Sequence, residues 1–143
     1  MIPDLPGLDQ IDYLTSDNIW DIRTLPQKMV VLGAGPIGCE LAQCFSRLGS
    51  NVSLVQRGPI IMKKEDPDAS QIILDRFDQE GIKVFLNHSA TAVEIKNGQK
   101  FLICDHDENQ VKIEFDQILI ALGRAPSVEG FGLEELGVVL KND

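Results

Sequence analysis

The stretch Lys28-Met29-Val30-Val31-Leu32-Gly33-Ala34-Gly35-Pro36-Ile37-Gly38 decides how this chain folds. Four apolar residues in succession, Met29 to Leu32, read as a strand buried on both faces. Three glycines in G-x-G-x-x-G spacing follow at once. A helical pattern comes next, with Ile37, Leu41, Phe45 and Leu48 on one face and Gly49 placed to end it. Val52, Leu54 and Val55 then read as a second strand. The unit is strand, tight turn, helix, strand, of the length a βαβ crossover needs.

The pattern continues outward from this unit. Asp66 is a helix cap and Pro67 suits the first helical position. Ile72, Ile73 and Phe77 supply the expected buried stripe, and Gly81 ends the helix. Ile82, Val84 and Phe85 read as a third strand. Residues 90–96 alternate, and Asn97-Gly98 is a hairpin signal. Lys100 to Cys104 and Val111 to Phe115 read as two strands around the acidic turn Asp105 to Asn109. Gln117 to Leu122 is one more apolar strand, ending at Gly123. Residues 1–27 are rich in turn formers and hold at most a short helix, capped by Ser16 or Asp17, with Ile19, Trp20 and Ile22 as contacts. The expected fold is α/β: a Rossmann-like dinucleotide-binding domain, a parallel βαβαβ sheet with an inserted antiparallel β-ribbon.

Composition narrows the function. The chain has 143 residues, one domain's worth, with 43% hydrophobic and 24% charged residues. Thirteen Lys and Arg against 22 Asp and Glu give a net charge of −9, and the pI is near 4.6. Nucleic-acid binding needs a basic face to displace phosphate counterions, so this is a poor candidate for it. No apolar run approaches a membrane span, and no signal-peptide pattern opens the sequence. Three cysteines, an odd number, point to reduced thiols and a cytoplasmic location. Two histidines and three dispersed cysteines leave little material for a zinc site.

The glycine turn carries the chemistry. Gly33 permits the tight turn, Gly35 lets a pyrophosphate approach the backbone, and Gly38 lets helix and strand pack closely. The helix start presents N–H groups and a partial positive charge to phosphate. Pro36 fits there because its missing donor would be unpaired anyway. The turn Gly33, Ala34, Gly35, Pro36, Ile37, Gly38 is therefore the candidate dinucleotide seat; a glycine turn without a ligand is the bland alternative. An NAD site usually carries Asp or Glu at the end of the second strand, accepting from the ribose 2′-hydroxyl. This chain has Gln56 and then Arg57, with Lys63 and Lys64 further on. Loss of the carboxylate and gain of cations favour NADPH over NADH.

At this point the residues resemble a family. Gly33 to Glu40, Leu41-Ala42-Gln43, Leu48 to Val52, the closing Ile120-Ala121-Leu122-Gly123-Arg124-Ala125-Pro126 and the opening Ile2 to Leu8 look like the pyridine-nucleotide domain of FAD-dependent pyridine nucleotide-disulfide oxidoreductases. Arg57 and the stretch Glu65-Asp66-Pro67-Asp68 look closest to the mercuric-reductase-like and dihydrolipoamide-dehydrogenase-like branch. The resemblance implies that Gly33, Gly35 and Gly38 cradle the pyrophosphate and that Glu40 lies near the nicotinamide carboxamide. It implies that Arg57 and Lys63 are the cations of NADPH-using members, and that Ala90 and Gly123 lie where nucleotide meets the later strands. It further implies a longer, homodimeric parent with an FAD domain, a redox Cys pair and a dimerisation domain. Residues 1–27 and 127–143 would then be the crossings from and to the FAD domain, and residues 28–126 the NAD(P)-binding domain. The parent would be an NAD(P)H-dependent flavoprotein oxidoreductase, and this fragment alone would be inactive.

Several features look functional and are read otherwise. Cys39 and Cys44 have C-x4-C spacing, but on one helix they stand about 140° and roughly 8–9 Å apart. A disulfide needs Cα atoms within about 7 Å. Both are read as packing cysteines, and Cys104 as a strand residue. Asp105-x-Asp107-x-Asn109 resembles a calcium loop but has Gln110 where glycine is required. His88 and His106 are read as surface histidines. A stand-alone nicotinamide-nucleotide-binding or redox-sensing module without catalysis is the competing function.

Overall fold

The computed structural model describes residues 1–128, 130–133 and 135–139. The end of the segment 127–143, and positions 129 and 134 within it, lie outside the described residues. Among the described residues, seven strands and two α-helices follow in the order β1 (Lys28–Leu32), α1 (Pro36–Leu48), β2 (Asn51–Val55), α2 (Pro67–Gln79), β3 (Lys83–Phe85), β4 (Ser89–Lys96), β5 (Gln99–His106), β6 (Asn109–Phe115) and β7 (Gln117–Ile120). One sheet has the order β3-β2-β1-β7, the other β4-β5-β6. In the first, β1 pairs in parallel with β2 and with β7, and β2 in parallel with β3. The second is antiparallel throughout.

Why β1 reads as an unbroken apolar run is now plain. Alternate residues of a strand face opposite sides of its sheet. Met29 and Val31, with Leu54 and Leu119, pack under the helices against Leu41, Phe45 and Phe77. Val30 and Leu32, with Val55, Ile118 and Ile120, pack against Leu102, Cys104, Ile113 and Phe115 of the antiparallel sheet. The domain is three layers, with helices on one face of the parallel sheet and a second sheet on the other. The inserted ribbon thus does what a covering helix does elsewhere, and it carries the chain from β3 at one edge to β7 beyond β1. The Asn97-Gly98 turn joins β4 and β5 with both residues at positive φ, as a two-residue hairpin requires. The acidic stretch is a hairpin too, tighter than its sequence suggests, because β5 runs to His106 and β6 starts at Asn109. No metal-holding cluster occurs among the described residues.

The leading segment is stitched into both layers. Leu5 and Leu8 are buried with the second-sheet core, and Val93 N–H donates to Pro6 O at 2.8 Å. Leu14 N–H donates to Ile118 O, and Leu14 O accepts from Ile120 N–H, both at 2.8 Å. The segment holds two 3₁₀ turns where one short helix was expected, Leu8–Gln10 and Ile19–Asp21, the second preceded by Asn18 and not by Ser16 or Asp17. Ile19 is buried, but Trp20 is exposed, its indole N–H held by Ser16 O at 2.8 Å.

Three helix and thiol expectations need correction. The face of α1 that packs is Gly38, Leu41, Ala42 and Phe45, the i, i+3, i+4, i+7 set. Leu48, one turn beyond, is exposed, and Cys44 lies off the stripe and is exposed as well. On α2 the packing set is Ser70, Ile73, Leu74 and Phe77, which leaves Ile72 at 70% exposure. Asp66 does cap this helix, accepting from Asp68 N–H at 3.0 Å. No described helix is long and apolar enough to cross a membrane.

The remaining thiols are shielded. Burial first, and Glu40 second, push Cys39 up to about 11. Burial first, and Asp105 second, push Cys104 up to about 11. At pH 8 a thiol reagent should therefore label Cys44 quickly in the native chain, with Cys39 and Cys104 reacting after denaturation. Labelling of all three at one rate would contradict the burial described. Both shifts run upward from 9.0, so the unfolded chain loses these protons first. Their contribution to stability is full below pH 9 and is lost as pH rises toward about 11. Urea midpoints measured at pH 8 and pH 10.5 should fall in that order, and less steeply in Cys104→Ala than in the parent sequence.

Candidate functional site

The parallel sheet reverses its strand order at β1, whose neighbours are β2 on one side and β7 on the other. In open α/β sheets the crevice at the carboxyl ends of such strands is where ligands sit. A cleft of about 880 Å³ opens there. Its floor is the turn Gly33 to Ile37; one wall is Ile120 to Pro126 after β7, and the other is Gln56 with Met62 to Glu65. Ser16 reaches its edge from the leading segment.

The turn is built by close backbone approach. Gly33 has φ +107, and a Cβ there would overlap the carbonyl oxygen of Ala121. A Cβ on Gly38 would overlap the carbonyl oxygen of Gly33 and stand 3.4 Å from the Ala121 side chain. These two glycines let β1, α1 and the end of β7 meet. Gly35 differs. Its φ is −79, which any residue adopts, and a Cβ there would meet nothing within 4 Å. Gly35 is also the N-cap of α1, where no side chain caps the helix and no acidic residue occupies the first turn. The first-turn N–H groups and the positive end of the helix dipole are thus left to the cleft.

The charges on the walls run against the chain's overall sign. Lys63, Lys64 and Arg124 line the cleft, with Glu65 as the carboxylate among them. In a chain of net charge −9, that is a local basic rim. Arg47 and Glu80, by contrast, neutralise each other on the far side through a two-point ion pair. Glu80 is held below the ordinary carboxylate range, first by its hydrogen bond from Arg47.

Of the residues singled out from sequence, the structure brings Gly33, Ala34, Gly35, Pro36, Ile37, Gln56, Lys63 and Gly123 onto the cleft. Gly38 packs immediately behind the turn. Glu40 is exposed on α1, Arg57 is exposed just past β2, and Ala90 is half-buried on β4 against the second-sheet core; none of these three forms the wall. Sequence reasoning named Lys64 only as one of the cations favouring NADPH, and gave no role at the site to Ser16 or Arg124. Arg124 was signalled by its place directly after Gly123 in the closing pattern. Ser16 had no signal, because its position depends on Leu14 pairing with β7.

The surface reading holds for His106, whose side chain is 37% exposed, and fails for His88. His88 is 9% exposed. Its ring stacks on His106 with centroids 4.1 Å apart and planes within 5°, and Phe85 meets it edge-on at 5.3 Å. Each ring uses Nδ1 on a backbone carbonyl, Leu86 O at 2.6 Å and Asn87 O at 3.1 Å. The pair fastens the β3–β4 turn to the end of β5.

Comparison with known proteins gives the family and the fold. The family model for pyridine nucleotide-disulphide oxidoreductases matches residues 1–143. Mercuric reductase of Staphylococcus aureus is 34% identical over 137 residues, covering 96% of this chain and 25% of that protein. Dihydrolipoyl dehydrogenase of Chlamydia muridarum is 32% identical over 126 residues, covering 88% of this chain and 26% of that protein. Among solved structures, the Cu(II) complex of the HOCl-induced flavoprotein disulfide reductase RclA from Escherichia coli superposes with a TM-score of 0.86. That match is at 24% identity and covers 99% of this chain and 32% of that one. The chain thus spans about a quarter of the length of the curated relatives it matches. The glycine turn, its switch-point cleft and these matches together make the chain a member of the pyridine nucleotide-disulphide oxidoreductase family.

Proposed function

We propose that this chain seats a nicotinamide dinucleotide, NADPH ahead of NADH, in the cleft at the ends of β1 and β7. It would do so as the NAD(P)H-binding domain of a homodimeric flavoprotein oxidoreductase. The observation that carries the reading is Gly35. Nothing in the fold requires glycine there, since its backbone is ordinary and its missing side chain would meet no atom. A ligand that must touch the backbone gives it a reason. The uncapped start of α1 and the rim of Lys63, Lys64 and Arg124 make that ligand an anion. Such a seat fits a pyrophosphate.

On this reading Gly33 and Gly38 shape the turn, and the amides of the first turn of α1 hold the pyrophosphate. Arg57 and Lys63 select the 2′-phosphate, Gly123 and Ala90 flank the nucleotide from the later strands, and Glu40 serves the nicotinamide end. The chemistry is the cofactors' own, hydride from the nicotinamide to FAD and electrons onward to a Cys pair outside this chain. The chain's part is to bind and orient. Residues 28–126 would form the nucleotide domain, with 1–27 and 127–143 leading from and to the FAD domain.

Calorimetric titration of the chain with NADPH and NADH tests this. NADPH should bind more tightly, and Arg57→Glu should remove a charge-assisted contact worth about 1.5–3 kcal/mol, shifting the preference toward NADH about 10- to 100-fold. Gly35→Ala should leave the chain folded at a cost of about 1 kcal/mol, because alanine caps a helix less well than glycine. It should still weaken NADPH at least about ten-fold by crowding the phosphate (about 1.4 kcal/mol). Gly38→Ala should instead destabilise the fold by about 1–3 kcal/mol through overpacking against the Gly33 carbonyl. Unchanged NADPH binding in Gly35→Ala would overturn the proposed seat.

A further inference from the structure

We propose that Gln56 is a positioning residue. Its side-chain amide clamps the loop bearing Lys63 and Lys64 onto the glycine turn, and is thereby unavailable to read the nucleotide's ribose. The consequence for the nucleotide rests on the function proposed above; the clamp itself does not.

Both ends of the amide are engaged within the protein. Gln56 Oε1 accepts from Ala34 N–H at 3.3 Å, and Gln56 Nε2 donates to Ile60 O at 3.4 Å. One side chain thus ties the glycine turn to the following loop. A second tie runs parallel to it, as Met62 N–H donates to Ala34 O at 2.8 Å. Both backbone groups of Ala34 are therefore taken by the segment 56–62. A third tie anchors the loop from below, where the Ser70 hydroxyl, on a residue 1% exposed, donates to Ile61 O at 3.0 Å. The Ile61 side chain is fully buried in the helix-side core. Gln56 is itself held rigidly, its N–H donating to Phe85 O at 2.9 Å and its carbonyl accepting from His88 N–H at 3.1 Å.

The ties converge on one geometric result. Met62 has φ +51, a left-handed conformation that a non-glycine residue adopts only when its surroundings insist. That bend is where the chain turns to place Met62, Lys63 and Lys64 along the cleft wall. The chemistry of the clamp also has a direction. It needs an acceptor toward Ala34 N–H and a donor toward Ile60 O, which an amide supplies and a carboxylate does not. The acid that would accept from a ribose 2′-hydroxyl cannot stand here without setting an oxygen against the Ile60 carbonyl. Nucleotide choice then falls to the cations.

Amide hydrogen exchange of the nucleotide-free chain tests the clamp directly. In Gln56→Ala, exchange at Ala34 and Met62 should accelerate about ten-fold or more, the size expected for losing hydrogen bonds of about 1.4 kcal/mol together. In Gln56→Glu, Ala34 should stay protected while Met62 accelerates, because the acceptor survives and the donor does not. In Ser70→Ala, Met62 alone of the two should accelerate. Val31 in β1 should stay protected in all three and reports whether the fold is intact; if Gln56→Ala fails that control, Gln56→Glu still decides. Unchanged exchange at Met62 in a folded Gln56 variant overturns the clamp. NADPH and NADH titrations of Gln56→Glu then test its consequence: both should weaken, whereas a gain for NADH with Met62 still protected would mean residue 56 reads the ribose itself. If the parent chain binds neither nucleotide, the proposed function fails while the exchange data still judge the clamp.

Discussion

The structure depends on one close approach. The start of α1, the end of β1 and the end of β7 converge on Gly33 and Gly38, with the Gly33 carbonyl against Gly38 and the Ala121 carbonyl against Gly33. Any side chain at either position would force these three elements apart. Because they meet, the helix begins directly beyond the strand, its first turn faces the crevice, and β7 can lie in register beside β1 from Met29 to Leu32. The same approach leaves Gly35 projecting into open space. Packing and site are thus two sides of one turn.

Around this turn the chain separates its charges. Its acidic excess lies elsewhere, while the cleft wall gathers Lys63, Lys64 and Arg124. Ion pairs away from the cleft are exposed links between elements, such as Lys112 with Glu94 across the second sheet and Lys28 with Glu114. Exposed pairs of this kind contribute little to stability. Stability rests on the two cores that clasp the parallel sheet, and among the described residues no ion pair engages Lys63, Lys64 or Arg124.

Local signals made much of this readable in the sequence. The run Met29 to Leu32, the glycine spacing, Asp66-Pro67 and Asn97-Gly98 each name a conformation through the chemistry of a few adjacent residues. What was not readable depends on partners distant in sequence. Ile72 looked like a core residue because it is apolar, yet the face of α2 that meets the sheet is set by Ser70, Ile73, Leu74 and Phe77. Cys44 follows the same logic on α1. His88 is buried because His106, at the far end of a hairpin, stacks on it. Lys64 and Arg124 enter the cleft because two separate loops converge there, and Ser16 because Leu14 pairs with β7. The three-stranded sheet was legible as hairpins; that it covers a face of the main sheet became evident from which residues of β4, β5 and β6 point toward Val30 and Leu32.

The central claim is that the glycine turn at β1 is a dinucleotide seat, and amide NMR of the isotopically labelled chain titrated with NADPH tests it most directly. The account predicts saturable shifts concentrated at Gly33, Ala34, Gly35 and Ile37, at Gln56, Lys63 and Lys64, and at Gly123 and Arg124, with Asn109 to Phe115 of β6 unmoved. Saturable binding that shifts residues elsewhere and leaves Gly33, Ala34, Gly35 and Ile37 in place would contradict it.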